Sequence, residues 1–167
     1  MAVVTTKSTA ITNRDAVPTV LGNGRITGGA VRSARGVVTT ANGDSIASIY
    51  KFCSIPSNAV IVSVRVTSPD IGTTTIADFG LYKTTADGAA VVDADFFASA
   101  LSLKDGALSK SEIMFESAVI TTANCEKAVW DILALSADPN LTYDVCATLT
   151  AAADAAAAIL VEVDYTV

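Results

Sequence analysis

After Gly43 the dominant period of this chain is two, and that alternation restricts it to a fold of short, half-buried strands. In Val60-Ile61-Val62-Ser63-Val64-Arg65-Val66, the residues Val60, Val62, Val64 and Val66 share one face, and Ser63 and Arg65 share the other. Leu141 to Leu149 repeats the pattern with Leu141, Tyr143, Val145, Ala147 and Leu149 inward. Ile159 to Val167 repeats it again and turns Glu162, Asp164 and Thr166 outward. A slip of one residue would bury those acids, so the register is well specified. Residues 46–55 and 75–83 are further predicted strands, the second with Ala77, Phe79 and Leu81 on one face. Turn chemistry separates the runs at Ile55-Pro56-Ser57-Asn58, Ser68-Pro69-Asp70-Ile71-Gly72 and Ala86-Asp87-Gly88. Strands at this spacing predict a sandwich, jelly roll or small barrel.

Two stretches break the period. Asp93 to Leu101 begins with acids and places Phe97, Ala100 and Leu101 at helical spacing, with Asp93 as N-cap. Asn124 to Leu133 behaves likewise, with Val129, Ile132 and Leu133 on one face and Asn124 capping. Both are predicted as short helices inserted among strands, with Trp130, Phe96 and Phe97 as packing anchors. Ala151 to Ala158 is rich in a helix former but too short for an independent helix, so it reads as a connection with possible helical turns.

Residues 1–36 are chemically distinct from the rest. They carry Lys7, Arg14, Arg25, Arg32 and Arg35 against the single acid Asp15, a net charge of +4. The remainder holds 6 basic and 16 acidic residues, a balance of −10 that with +4 gives the chain total of −6. No aromatic residue precedes Tyr50. A segment so polar and glycine-rich buries too little apolar surface to order itself alone. The expected organisation is an extended N-terminal arm over residues 1–42 and a β-sandwich domain over 43–167. The arm's five basic residues are the candidate partner-binding residues, and its removal at residue 36 is expected to leave the body folded.

Only 17% of residues are charged, against about 25% in typical domains, which suggests a surface covered by other protein. An acidic body binds nucleic acid poorly, and the arm lacks the aromatics that stack bases. Met1 to Lys7 contains no apolar h-region, and Ala155 to Val161 is too short to span a bilayer. A soluble protein made in a cytoplasm is expected, with no membrane contact. Cys53, Cys125 and Cys146 are odd in number and widely spaced, so reduced, mostly buried thiols are expected. Asn140-Leu141-Thr142 matches the glycosylation pattern but has no secretory signal to accompany it.

The chemical motifs are weak. Gly22 to Gly29 fails the dinucleotide fingerprint because Thr27 occupies the third glycine's place, and no Walker A lysine occurs. Asp78-Phe79-Gly80 matches a kinase magnesium tripeptide without a kinase catalytic loop and reads as strand. Asp87, Asp93, Asp95 and Asp105 do not have EF-hand spacing and read as solvated acids. With no histidine, no Ser-His-Asp or Cys-His arrangement can form. No enzyme activity, cofactor or metal is expected, although a carboxylate pair could still assemble in space.

Several phrases are nevertheless distinctive. Gly43 to Phe52 followed by Ile55-Pro56-Ser57-Asn58-Ala59, Asp78 to Tyr82, Val91 to Ala98, and Leu135 to Asn140 resemble the cement (decoration) proteins of tailed bacteriophages. The resemblance implies a mainly β, jelly-roll-like antiparallel sandwich on the outer surface of an icosahedral head. It also implies a homo-oligomer, dimer or trimer, seated at junctions of the major capsid protein and opposing the pressure of packaged DNA. The arm would lie along acidic capsid surface or a neighbouring copy. A different class is the alternative: a receptor- or carbohydrate-binding virion module on the same sandwich, which exposed loop aromatics would favour.

Overall fold

The computed structural model describes residues 4–167. Eight strands follow a short helix α1 (Thr9–Asp15): β1 (Arg32–Thr39), β2 (Ile49–Pro56), β3 (Val60–Ser68), β4 (Ile76–Lys83), β5 (Val91–Ser102), β6 (Leu108–Glu112), β7 (Thr142–Ala151) and β8 (Ala158–Thr166). A second helix, α2 (Val129–Ile132), lies between β6 and β7. The strands form two four-stranded sheets, ordered β1-β8-β3-β6 and β2-β7-β4-β5.

That order has a simple origin. First pairs with last, second with seventh, third with sixth and fourth with fifth, all antiparallel, as in one long folded ribbon. Rolling the ribbon adds the β3–β8 and β4–β7 pairings and closes the two sheets over one core. This is a jelly-roll sandwich, within the sandwich, jelly roll or small barrel that the strand spacing predicts and as the resemblance implies. Its centre holds Phe79, Leu81, Phe96, Phe97, Val145 and Val161, all fully buried. Phe96 and Phe97 meet edge to face, with centroids 5.0 Å apart.

Three expectations fail for physical reasons. Residues 93–101 form part of β5, not a helix capped by Asp93. The β4–β5 register slips repeatedly, so that Phe79 faces Ala98 while Leu81 already faces Asp93. The extra residues bulge, which lets Phe96, Phe97 and Ala98 all be buried in succession and mimics helical spacing. Asn124 caps no helix: its side chain accepts from the Thr121 N–H at 2.6 Å and donates to the Val119 carbonyl at 2.9 Å. α2 starts only at Val129 and has no side-chain cap, and Trp130 beside it is partly exposed. In β3 a bulge between Ile61 and Ser63 breaks the phase, so Ile61 is buried while Val62 is 50% exposed.

The boundary expected at residue 42 also moves. Arg32–Thr39 is a sheet strand, in register with β8 from Arg32 opposite Tyr165 to Thr39 opposite Ala158. Its inward residues Ala34, Gly36 and Val38 are small, and a Cβ on Gly36 would fall 1.9 Å from the Phe52 carbonyl oxygen. β1 therefore lies directly on the backbone of β2. The segment outside the sandwich is residues 4–31, and it is not wholly extended, because α1 interrupts it.

Aspartates staple the loops. Asp154, in the helix-free connection between β7 and β8, accepts from the Thr73 N–H at 2.8 Å, the Thr73 hydroxyl at 2.9 Å and the Thr75 hydroxyl at 3.1 Å. Asp44 accepts from the Tyr50 hydroxyl at 2.5 Å, and Asp138 accepts from the Ser57 hydroxyl at 2.5 Å. These donors hold the carboxyls below the usual range: chiefly the Thr73 N–H for Asp154, Tyr50 for Asp44 and Ser57 for Asp138. A depressed folded-state pKa stabilises the fold above the ordinary carboxyl value of about 3.9, and that contribution is lost as pH falls through the folded value. We therefore expect the denaturation midpoint to drop below about pH 4 and this acid slope to shrink in Asp154→Asn. An unchanged slope in a triple Asp44→Asn, Asp138→Asn, Asp154→Asn variant would contradict the assignment.

Candidate partner-binding surface

The five basic residues of the arm are not brought together. Lys7 and Arg14 both pair with Asp15, each at 2.8 Å, across α1. Arg14 first, and Lys7 second, hold the Asp15 carboxyl below its usual range. α1 is capped by Ser8, whose hydroxyl accepts from the Ile11 N–H at 3.4 Å, and none of its residues is buried. Arg25 is tied to the sandwich from both ends. Its guanidinium donates to the Asn58 carbonyl at 3.3 Å, and its own carbonyl accepts from the Thr166 hydroxyl at 2.9 Å. Arg32 is exposed at the start of β1.

Arg35 has a structural task. It lies opposite Glu162, which lies opposite Arg65, which lies opposite Glu112. Charges of alternating sign thus cross the outer face of one sheet on four neighbouring strands. Arg35 approaches Glu162 at 3.6 Å, and Arg65 reaches the next acid along β8, Asp164, at 2.5 Å. Glu112 bends back to accept from the Val64 N–H at 2.8 Å. Flanked in this way, Glu162 points away from the core yet is only 6% exposed.

Beside the exposed Arg32, the arm presents apolar side chains. Val17 is 98% exposed, Leu21 93% and Val4 78%. Charge counting missed this, although Ala16 to Gly24 contains no charged residue, a signal available in the sequence. Where the arm returns toward β1, the strap Arg25–Gly29 and Val31 enclose a groove of about 300 Å³ against Val60, Ile61 and Val62. The sandwich exposes further large apolar side chains at Val37, Ile46, Ile49 and Val91. Contiguous exposed apolar surface marks an interaction face, and Val17, Val20 and Leu21 of the arm lie within five residues of one another.

Reactive chemistry is sparse by comparison. Among the described residues, no group of three or more His, Cys, Asp or Glu could hold a metal. Asp87 accepts from Thr84 and Asp105 from Ser102, each at 2.6 Å within its own turn. Asp93 is the exception, with a pKa raised first by burial and then by its neighbour Asp95. Burial pushes the Cys53 thiol up to about 11 and the Cys146 thiol up to about 12, which keeps both protonated at neutral pH. Among the described residues, Phe115 at 49% is the one aromatic with a largely exposed side chain.

No protein-family model matches the sequence, and no curated protein is similar to it. Among solved structures, the chain is similar to one in the cyanophage Pam1 capsid asymmetric unit, with a TM-score of 0.57 and 19% identity over 89% of this chain and 92% of that chain. At that level of identity the likeness is one of fold, and it spans nearly the whole of both chains.

Proposed function

We propose that this chain is a structural protein of a bacteriophage virion, made in the host cytoplasm and without catalytic activity. It binds the outer surface of an icosahedral head and stabilises it by bridging major capsid subunits. The observation that carries the reading is the pairing of a jelly-roll body, shared with a chain of a cyanophage capsid, with an arm that exposes Val17 and Leu21 almost completely. The sequence phrases that resemble cement proteins, that of a Bordetella short-tailed phage among them, support it as well. In mechanism it is a ligand of the assembled shell. A protein that binds only the expanded lattice stabilises that state by mass action, by about 2.7 kcal/mol when present at 100 times its Kd. Many copies on one lattice add avidity.

The arm is the tether in this account, but its charges are not the main grip. Two of its five cations share Asp15, Arg25 and Arg35 are engaged with the chain's own sandwich, and Arg32 alone is left exposed without a partner among the described residues. Apolar side chains therefore dominate its contact with a partner, and binding should be only weakly salt-dependent. The receptor- or carbohydrate-binding alternative has little to build on, since one isolated exposed phenylalanine does not make a sugar platform. The test is addition of purified protein to expanded heads that lack decoration. Bound protein should raise the temperature at which the heads release DNA, and binding without such a rise would refute the bridging role.

A further inference from the structure

Asn-Gly occurs twice in this chain, at Asn23-Gly24 just before the strap and at Asn42-Gly43 in the turn after β1. The pair is chemically special. A glycine nitrogen, with no side chain beside it, can attack the carboxamide carbon of the asparagine that precedes it. All four residues are exposed, so solvent base reaches both pairs. The fold nevertheless treats the two nitrogens differently.

At Asn42 the nucleophile is held. The Gly43 N–H donates to the Ala153 carbonyl at 2.8 Å, and the Ala153 N–H returns a bond to the Asp44 carbonyl at 2.9 Å. Ala153 is only 2% exposed, so attack by Gly43 must break a bond anchored in the sandwich. At Gly24 the N–H meets no protein acceptor among the described residues, and nothing lies within 4 Å of an added Cβ. The Asn23 carboxamide is folded back along the chain, its Oδ1 accepting from the Arg25 N–H at 3.0 Å. The ring closed by that bond contains the Gly24 nitrogen. Negative charge develops on Oδ1 during attack, and the Arg25 N–H is already in place to stabilise it.

We infer that Asn23 is a self-modification site, at which the chain converts its own asparagine to aspartate and isoaspartate. The Gly24 nitrogen bonds to the Asn23 Cγ, the Cγ–Nδ2 bond breaks, and the amide leaves as ammonia with the Gly24 proton. Water then opens the cyclic imide. Opening at Cγ leaves aspartate, and opening at the main-chain carbonyl leaves isoaspartate with the backbone rerouted through Cβ and Cγ. The second product matters more. The Asn23 carbonyl accepts from the Ile26 N–H at 3.0 Å and the Thr27 N–H at 2.9 Å, and in isoaspartate it becomes a free carboxylate outside the main chain. Those bonds form the turn that carries Arg25 to Asn58 and Thr166. Isoaspartate at position 23 therefore loosens the arm's attachment, while the core, which contains no strap residue, stays intact. None of this requires a partner, so the site stands whatever the chain binds.

The test is incubation of the full-length protein in mildly alkaline buffer, followed by peptide mapping in a mass spectrometer. Isoaspartate is read with an isoaspartyl methyltransferase and a labelled methyl donor. Conversion at position 23 should be about tenfold faster than at position 42, the factor set by one hydrogen bond that must be broken. In denaturant the two rates should converge, and Gly24→Ala should slow position 23 sharply. Converted protein should be cut faster by trypsin after Arg25 while its melting temperature stays the same. Equal rates at the two asparagines in the folded protein, or a difference that persists in denaturant, would overturn the site. Conversion that left cleavage after Arg25 unchanged would overturn the loosening of the strap.

Discussion

Removal of residues 1–21 should leave a folded, soluble sandwich, whereas removal of residues 1–36 should prevent folding. No residue from 4 to 21 is buried, so the shorter deletion forfeits only exposed contacts and the Lys7–Asp15–Arg14 pairs. Surface changes of this kind usually stay within about 0.5 kcal/mol. The longer deletion removes the strand segment that covers β8 from Tyr165 to Val161. It also leaves Glu162 without Arg35 and strips the Ala34 and Gly36 backbone off the core edge. The unpaired ladder groups and the uncovered core together exceed about 5 kcal/mol, the lower end of a domain's whole stability. Circular dichroism melts and soluble yield decide the matter. A cooperative melt from the 37–167 fragment near that of the full chain would show that β1 is dispensable.

The second large effect is expected at Gly80. This residue lies in β4 beneath the bulge of β5, and a Cβ there would stand 2.1 Å from the Asp93 carbonyl oxygen and 2.4 Å from the Ala94 carbonyl carbon. Backbone cannot yield as a side chain can, so Gly80→Ala must displace the bulge that seats Phe96 and Phe97 in the core. Overpacking of this severity should cost about 3 kcal/mol or more. Gly24→Ala is the control, because nothing lies within 4 Å of its added Cβ. Denaturant midpoints that moved equally little in both variants would refute the close approach. The tripeptide Asp78-Phe79-Gly80 thereby acquires a structural explanation. Asp78 accepts from the Ala100 N–H at 2.6 Å, Phe79 fills the core, and Gly80 admits the crossing strand.

Strands that follow period two were readable. β7 and β8 turn the anticipated residues inward, and β2 and β4 fall within a few residues of their expected spans. Where alternation fails, bulges are the cause. The extra residue near Val62 and those between Asp93 and Ala98 break the phase, and a broken phase with clustered aromatics resembles a helix repeat. β1 escaped notice for another reason: its inward Ala34 and Gly36 are too small to mark an alternation, and the absence of a side chain at Gly36 is what lets β1 approach β2. β6 has only five residues, with Leu108 its single apolar one, so no pattern could reveal it.

The arm was visible as a charge anomaly, yet the charge pointed to the wrong residues within it. Net charge is additive along a sequence, but pairing is spatial. Asp15 absorbs Lys7 and Arg14, and Glu162 lies more than a hundred residues from Arg35 in sequence while opposite it in the sheet. The uncharged run from Ala16 to Gly24 was legible, but the exposure of Val17 and Leu21 was not, since an apolar run alone does not say whether the fold will cover it. The groove joins residues from four separate regions, around Ile26, Val62, Cys125 and Thr166, and exists only once the strap is fixed at Arg25.

The central claim is that this protein binds an assembled phage shell. Co-sedimentation with expanded, decoration-free heads measures it most directly, using unexpanded heads and the 22–167 fragment as comparisons. Full-length protein should pellet with expanded heads at a fixed number of copies per capsid subunit, with little change between low and high salt. The 22–167 fragment should bind far more weakly although folded. Full-length protein that stayed in the supernatant at micromolar concentration, or pelleted equally with unexpanded heads, would contradict the account.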